Sequence, residues 1–406
     1  MSMPLRHRAV IPAIFISLAL ACLATASAEQ ATTVYTGTLG KQAIVLELTP
    51  GDDAESAGRY FYMRHHFDLL LEGKPDTTSH LSLSEGKDED TANPHIELDR
   101  QADGSWRGSW RNAQGKTLAI ALQPAMPSPP PADATPYLKQ LYKKDPYEYL
   151  RLSGLKLQPG RQQSFMGHTL HWWTQPDSKI SFFEIADGYP DSQRQRINRV
   201  LVDRLWSEVS SYYSCMATVS HSDDGDFEQT VTPRLLTLSL ISISVFTSYD
   251  CGGAHPDFGD APINLDARTA QPLTLEDILW LGKGKPLHYV DDSTQNDDAT
   301  PASSASSRAG FDAFSAYRQN DFAPWLVQQL TAQYPTQMKG TKSDDDCGYD
   351  DPSVWEFVSW HLTQKGVFFG PSFPRVARVC ESNDDWSMLP WATIRLHPGR
   401  VPLKLP

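Results

Sequence analysis

The chain lacks a Gly-x-Ser-x-Gly nucleophile elbow and a Gly-rich phosphate loop. The usual signatures of serine hydrolases and nucleotide-binding enzymes are therefore missing. No two cysteines stand two to four residues apart, the spacing that zinc sites generally use. Basic residues are in the minority: 36 Lys and Arg face 49 Asp and Glu, for a formal charge of −13. Phosphate backbones demand clustered cations, so nucleic acid is a poor partner for this chain. Beyond residue 28 there is no apolar run of the roughly 18 residues that a membrane helix requires. No repeat of fixed period occurs either. With 40% hydrophobic and 21% charged residues, the composition is that of a globular protein. A length of 406 residues exceeds one ordinary core and implies two domains.

The first 28 residues have the pattern of a removable export signal. Arg6, His7 and Arg8 form a basic start, Ala9 to Leu23 an apolar stretch, and Ala26-Ser27-Ala28 a small-x-small cleavage site. Cleavage before Glu29 would leave about 378 residues, with a charge near −15 because Arg6 and Arg8 leave with the signal. A lipid anchor at Cys22, after Ala19-Leu20-Ala21, is the competing reading. The expected location is periplasmic or secreted. Cys215, Cys251, Cys347 and Cys380 remain. An even count in an exported chain suggests two disulfides, with three connectivities open. Cys215–Cys251 with Cys347–Cys380 closes the shorter loops.

The predicted fold class is α+β. Residues 29–124 are expected to form an N-terminal all-β sandwich or barrel-like domain, from short alternating segments such as Ile44, Leu46 and Leu48 separated by turns. Asp68 to Gly73 is read as a strand ending at a turn. Trp106 and Trp110 share one strand face and suit a core better than a ligand cleft. Residues 125–136 hold five prolines in twelve positions and form a linker. Residues 137–406 are expected to form an α+β domain with an antiparallel sheet and packed helices. Ile197, Val200, Leu201, Leu205 and Val209 mark a helix face after Pro190. Strands are predicted at Tyr212–Val219, Leu235–Tyr249, Trp355–Leu362 and Trp391–Leu396. In the second of these the apolar parity switches near Leu240 and Ile241, which requires a bulge or two buried faces. Asp321 is predicted to cap a helix carrying Trp325, Leu326, Leu330 and Tyr334. Residues 291–309 are read as an exposed insertion.

Tyr249-Asp250-Cys251-Gly252-Gly253-Ala254-His255-Pro256 is followed by Ile263-Asn264-Leu265-Asp266 and Leu273-Thr274-Leu275-Glu276-Asp277-Ile278-Leu279. Together with Leu362-Thr363-Gln364-Lys365-Gly366-Val367-Phe368-Phe369, this pattern resembles the RsiV-like family, domain of unknown function 3298. That family includes the extracellular part of a lysozyme-sensing anti-sigma factor and an accessory domain beside some peptidoglycan deacetylases. The resemblance spans about residues 165–400. It departs at Gly370 to Cys380, where family members carry a Tyr-rich stretch, and in its four cysteines. It implies work at the cell envelope. Independently of the resemblance, a histidine beside two glycines suits a backbone-lined binding site, which makes Gly252, Gly253, Ala254, His255 and Pro256 a candidate partner-binding turn. The same segment also makes sense as a strand–turn–strand–helix joint, with Gly252-Gly253 permitting positive φ and Thr274 with Asp277 forming a capping box.

Catalytic, cofactor and metal residues are not identified. His168 and His171 are three apart and would face opposite sides of a strand. Asp344, Asp345, Asp346, Asp350 and Asp351 lack the regular spacing of a calcium loop. The leading expectation is a non-enzymatic, exported envelope protein in cell-wall stress, binding a basic muramidase of lysozyme type or a cell-wall component. A hydrolase or deacetylase accessory factor, and a structural envelope protein without a ligand, are the alternatives.

Overall fold

The computed structural model describes residues 32–49, 56–77, 79–86, 93–219, 225–253, 255–287, 289, 310–339, 347–381 and 386–401. The export segment with Cys22, Ala254, the 291–309 insertion and Asp344–Asp346 lie outside the described residues. The fold is α+β, beginning with a closed barrel.

Eight antiparallel strands build that barrel: β1 (Thr33–Leu39), β2 (Gln42–Thr49), β3 (Ser56–Tyr62), β4 (Asp68–Thr77), β5 (His80–Glu85), β6 (His95–Arg100), β7 (Trp106–Arg111) and β8 (Thr117–Pro124). Each pairs with its neighbour in sequence, and β8 closes on β1. An eight-stranded barrel is narrow enough for side chains to fill it. The period-2 alternation sends Leu39, Ile44, Leu46, Tyr60, Leu83, Leu98, Trp106, Ile120 and Leu122 inward, and Trp110 packs against them. Closure also needs positions without a side chain. A Cβ on Gly108 would lie 1.7 Å from the Glu97 carbonyl oxygen, and one on Gly73 2.1 Å from that of Ser82. Gly73 therefore does not end a strand, as its glycine suggested. It lies inside β4, where the backbones of β4 and β5 approach closely.

Residues 125–135 contain no helix or strand. Helices α1 (Pro136–Lys144) and α2 (Pro146–Gly154) follow. Both begin with proline, which fits the first turn because its missing N–H has no helical partner there. On one side of α2, Tyr147 buries Val45 and Phe61 on the outside of the barrel. On another side Leu152 joins the core of the α+β domain. The same nine-residue helix thus cements both halves.

Strands β9 (Gln158–Phe165), β10 (His168–Thr174) and β11 (Ser181–Ile185) form a three-stranded sheet. Helix α3 (Asp191–Thr218) lies against it. Its buried residues Ile197, Leu201, Leu205, Val209 and Tyr213 are four apart. The helix therefore runs through the segment expected to be a strand at Tyr212–Val219. Tyr213 simply continues the four-residue series, which outweighs the β propensity of adjacent aromatics.

The second sheet has β12 (Asp226–Leu236), β13 (Leu240–Asp250), β15 (Ile263–Asp266) and β16 (Gln271–Pro272), with β14 (Asp257–Asp260) also on β13. The long apolar run is not one strand. It folds at Thr237–Ser239, where Leu238 is exposed, into the β12–β13 hairpin. From Leu240 to Val245 β13 is buried on both faces. Ile241, Ile243 and Val245 face the α3 core, while Leu240 joins a second core. That second core holds the third sheet, β17 (Ser359–Leu362), β18 (Gly366–Gly370) and β19 (Met388–Pro390).

Three further expectations give way here. The chain passes from the helical segment before Arg318 through a π-helical turn, Arg318–Phe322, straight into the helix Ala323–Gln333, so Asp321 caps nothing. Within that turn Arg318 is buried against Glu276 at 2.8 Å and lies over Phe314 and Phe322. Pro352–Trp355 is a 3-10 turn and only Ser359–Leu362 is strand, because Trp355 fills the core instead of alternating. Trp391–Ile394 is helical, following the short β19, with Trp391 and Ile394 both buried.

Candidate functional site

The turn singled out by the sequence follows β13, and the structure holds it from three directions. Cys251 is bonded to Cys215 near the end of α3, with 4.8 Å between their Cα atoms. The Thr218 hydroxyl donates to the Cys251 carbonyl at 2.6 Å. Arg375 Nη2 donates to the His255 carbonyl at 3.0 Å. Gly252 has φ +74°, and a Cβ there would lie 2.9 Å from the Thr218 carbonyl oxygen. Glycine is required by both conformation and space. Gly252, Gly253, His255 and Pro256 are exposed. Around Gly253 there is nothing within 4 Å of an added Cβ. The turn is thus exposed outside and anchored beneath.

The second anchor comes from the stretch that follows β18. Residues Arg375–Glu381 form a kinked 3-10 segment. Cys380 within it is bonded to Cys347. Arg378 Nη2 donates to the Phe258 carbonyl at 2.6 Å, and Arg378 Nε lies 3.1 Å from Asp257 Oδ1. Arg375 and Arg378 flank the kink at Ala377 and both reach the backbone of the segment after β13. Val376 and Val379 have the same spacing and point away: Val376 is 98% exposed and Val379 74%. Sequence reasoning missed Arg375, Val376, Arg378 and Val379 as parts of this surface. The cysteine at 380 was the one local signal that the segment is pinned.

Beside this surface lies a cavity of about 290 Å³, lined in part by Arg234, Phe246, Phe258, Asp260, Phe368 and Glu381. Most of its polar groups are already engaged. Asp260 accepts from the Val245 amide at 2.8 Å and from the Ser244 hydroxyl, and Glu381 accepts from the Phe373 amide at 2.6 Å. His361, buried and stacked on Phe368, has its Nδ1 3.8 Å from Asp260. That is too long for a hydrogen bond.

The other motif residues have structural partners. Asn264 accepts from Ser242 at 2.6 Å and donates to the Trp360 carbonyl at 2.9 Å, while Ser242 accepts from the Leu362 amide at 2.8 Å. One amide side chain therefore ties the second sheet to the third. Asp266 receives a two-pronged bond from Arg268, and Asp277 accepts from the Thr274 amide and from Arg400. His168 stacks on Tyr189 and His171 packs against Trp173. Asp351 caps the turn at Ser353. Among the described residues, no group of three or more His, Cys, Asp or Glu could hold a metal ion. No helix among them is long and apolar enough to cross a membrane. The two disulfides are compatible with an extracellular or periplasmic location.

No protein-family model matches the chain. No curated protein matches it at a significant level.

Proposed function

We propose that this is an exported cell-envelope protein that acts by binding a partner, using the surface formed by Gly252, Gly253, His255 and Pro256 together with Arg375–Glu381. The observation that carries the reading is the pair Val376 and Val379, exposed on a segment that a disulfide ties to Cys347 and two arginines tie to the carbonyls of His255 and Phe258. Exposed apolar side chains on mobile chain are common and mean little. On a preordered surface they cost little entropy to bury, which is the usual economy of a binding site. The family resemblance makes a basic muramidase of lysozyme type the first partner to try. The charge of −13 favours attraction to such a partner through steering.

The test is titration of the disulfide-bonded chain against lysozyme by calorimetry at two salt concentrations, alongside cell-wall lysis. Submicromolar binding that weakens with salt is expected. The double variant Val376→Arg, Val379→Arg should bind at least tenfold more weakly at unchanged melting temperature. Absence of binding at high micromolar concentration would remove the muramidase, and an unaffected double variant would remove this surface.

A further inference from the structure

We propose that the joint between the barrel and the α+β domain is an acid-sensitive latch, which releases when His66 becomes protonated. The inference is independent of the partner surface, which lies elsewhere on the chain.

His66 sits in the turn between β3 and β4, the side of the barrel that α2 covers. Its φ is +63° and it is only 6% exposed. The ring packs against Phe61, and a Cβ on Gly154, the last residue of α2, would lie 2.8 Å from its Cε1. The glycine leaves room for the imidazole and for nothing more. Nδ1 is buried without a hydrogen-bond partner. The backbone carbonyl of the same residue accepts from Arg151 of α2. A ring and its own carbonyl thus meet the same helix, one by shape and the other by charge.

The charged groups around the ring come from several elements. From α2 come Arg151 and Glu148, which are bonded to each other at 2.8 Å. His65 belongs to the same turn as His66, and Asp68, which follows that turn as the first residue of β4, pairs with Arg151 at 2.7 Å. Asp177, in the β10–β11 loop, is exposed. Burial pushes the His66 pKa down, and the Arg151 guanidinium pushes it down further, while Asp177 opposes and His65 adds to the fall. A charged imidazole would have to lose its water beside a guanidinium that is 1% exposed.

The sign follows. A docked joint prefers the neutral ring. Released from the joint, the ring titrates near its ordinary value of about 6.5. The docking advantage is whole above that pH and declines as pH falls below it. Glu148 works in the opposite sense, because burial raises its pKa and the docked state favours its neutral form. The two can be separated by removing the histidine alone.

The experiment uses the full disulfide-bonded chain between pH 7.5 and 4.5. Small-angle scattering reads the distance between the halves, and NMR follows the His66 ring. Expected are an increase in radius of gyration that starts below about pH 6.5 and a His66 midpoint below the ordinary value of about 6.5. His66→Asn keeps a residue that tolerates positive φ and removes the charge, so its radius should stay flat across the range. The proposal is overturned if the wild-type radius does not change, if His66→Asn opens at the same pH, or if His66 titrates at or above about 6.5. Should His66→Asn fail to fold, the His66 midpoint in the wild type decides.

Discussion

The Arg151 guanidinium stands 2.7 Å from the Asp68 carboxylate, although the two residues are 83 positions apart in the chain. Asp68 opens a barrel strand and Arg151 lies on α2, so this pair spans the joint between the halves. Tyr147 donates to the same Asp68 oxygen at 2.6 Å, and Ser210 of α3 donates to Glu148 at 2.7 Å. Both charges of the central pair are almost wholly out of water, at 1% and 0% side-chain exposure.

Removing one partner of such a pair strands the other. Arg151→Met should cost about 3–5 kcal/mol in urea unfolding, since Glu148 loses its cation and Asp68 keeps only Arg59, 3.6 Å from its other oxygen. The double variant Arg151→Met, Asp68→Asn should recover part of that loss. Strictly additive single and double effects would show that the two groups do not interact.

Gly108 lies against a neighbouring backbone, whereas Gly253 faces open space. Gly108→Ala should destabilise the barrel by about 1–3 kcal/mol, through overpacking against the Glu97 carbonyl. Gly253→Ala meets open space and should leave the melting temperature unchanged. If Gly253→Ala nevertheless weakens partner binding, the partner approaches the backbone at that turn. Equal melting temperatures for Gly108→Ala and wild type would contradict the close strand approach.

The Cys215–Cys251 bond closes a loop of 36 residues between α3 and the candidate turn. Changing both cysteines to serine should lower stability by about 2–4 kcal/mol. Amide exchange should rise at Gly252 and Gly253, which lose their tether to α3, and the rise should be local. Exchange that is unchanged there would mean that Thr218 and Arg375 hold the turn without the disulfide.

A last prediction concerns acid. Arg268, through its side-chain bonds first and its backbone amide next, holds the Asp266 carboxyl below the ordinary carboxylate range. A depressed folded value stabilises the fold above the unfolded pKa, about 3.9, and the benefit is lost as pH falls through the folded value. Wild type should therefore exceed Arg268→Met in stability at pH 6, with the gap shrinking below about pH 4. NMR titration should find the Asp266 pKa higher in Arg268→Met. A gap that does not vary with pH would exclude this linkage.

Periodicity carried far where burial was one-sided. The barrel strands alternate because one face meets the core and the other meets water, and the first part of α3 shows its four-residue rhythm for the same reason. It failed where the chain is buried all round or where a large ring fills a gap. Leu235–Tyr249 looked like one strand because Leu238, which is exposed in the turn, is as apolar as its buried neighbours. Trp355 and Trp391 looked like strand residues, but they sit in short helical turns whose bulk the second core absorbs.

For the candidate surface, the residues from Cys251 to Pro256 stood out in the sequence because glycine pairs and a cysteine are locally visible constraints. Arg375 and Arg378 did not, since their partners are backbone carbonyls 120 positions away. Composition and local pattern by themselves determined the α+β class, the alternation of the barrel strands and the glycine turn. Each follows from the preferences of neighbouring residues. Which cysteines pair, which arginines clamp the turn and where His66 meets α2 were decided only by tertiary structure. Those contacts join groups far apart in the chain, and their energies depend on distance and on exclusion of water, neither of which is written in local order.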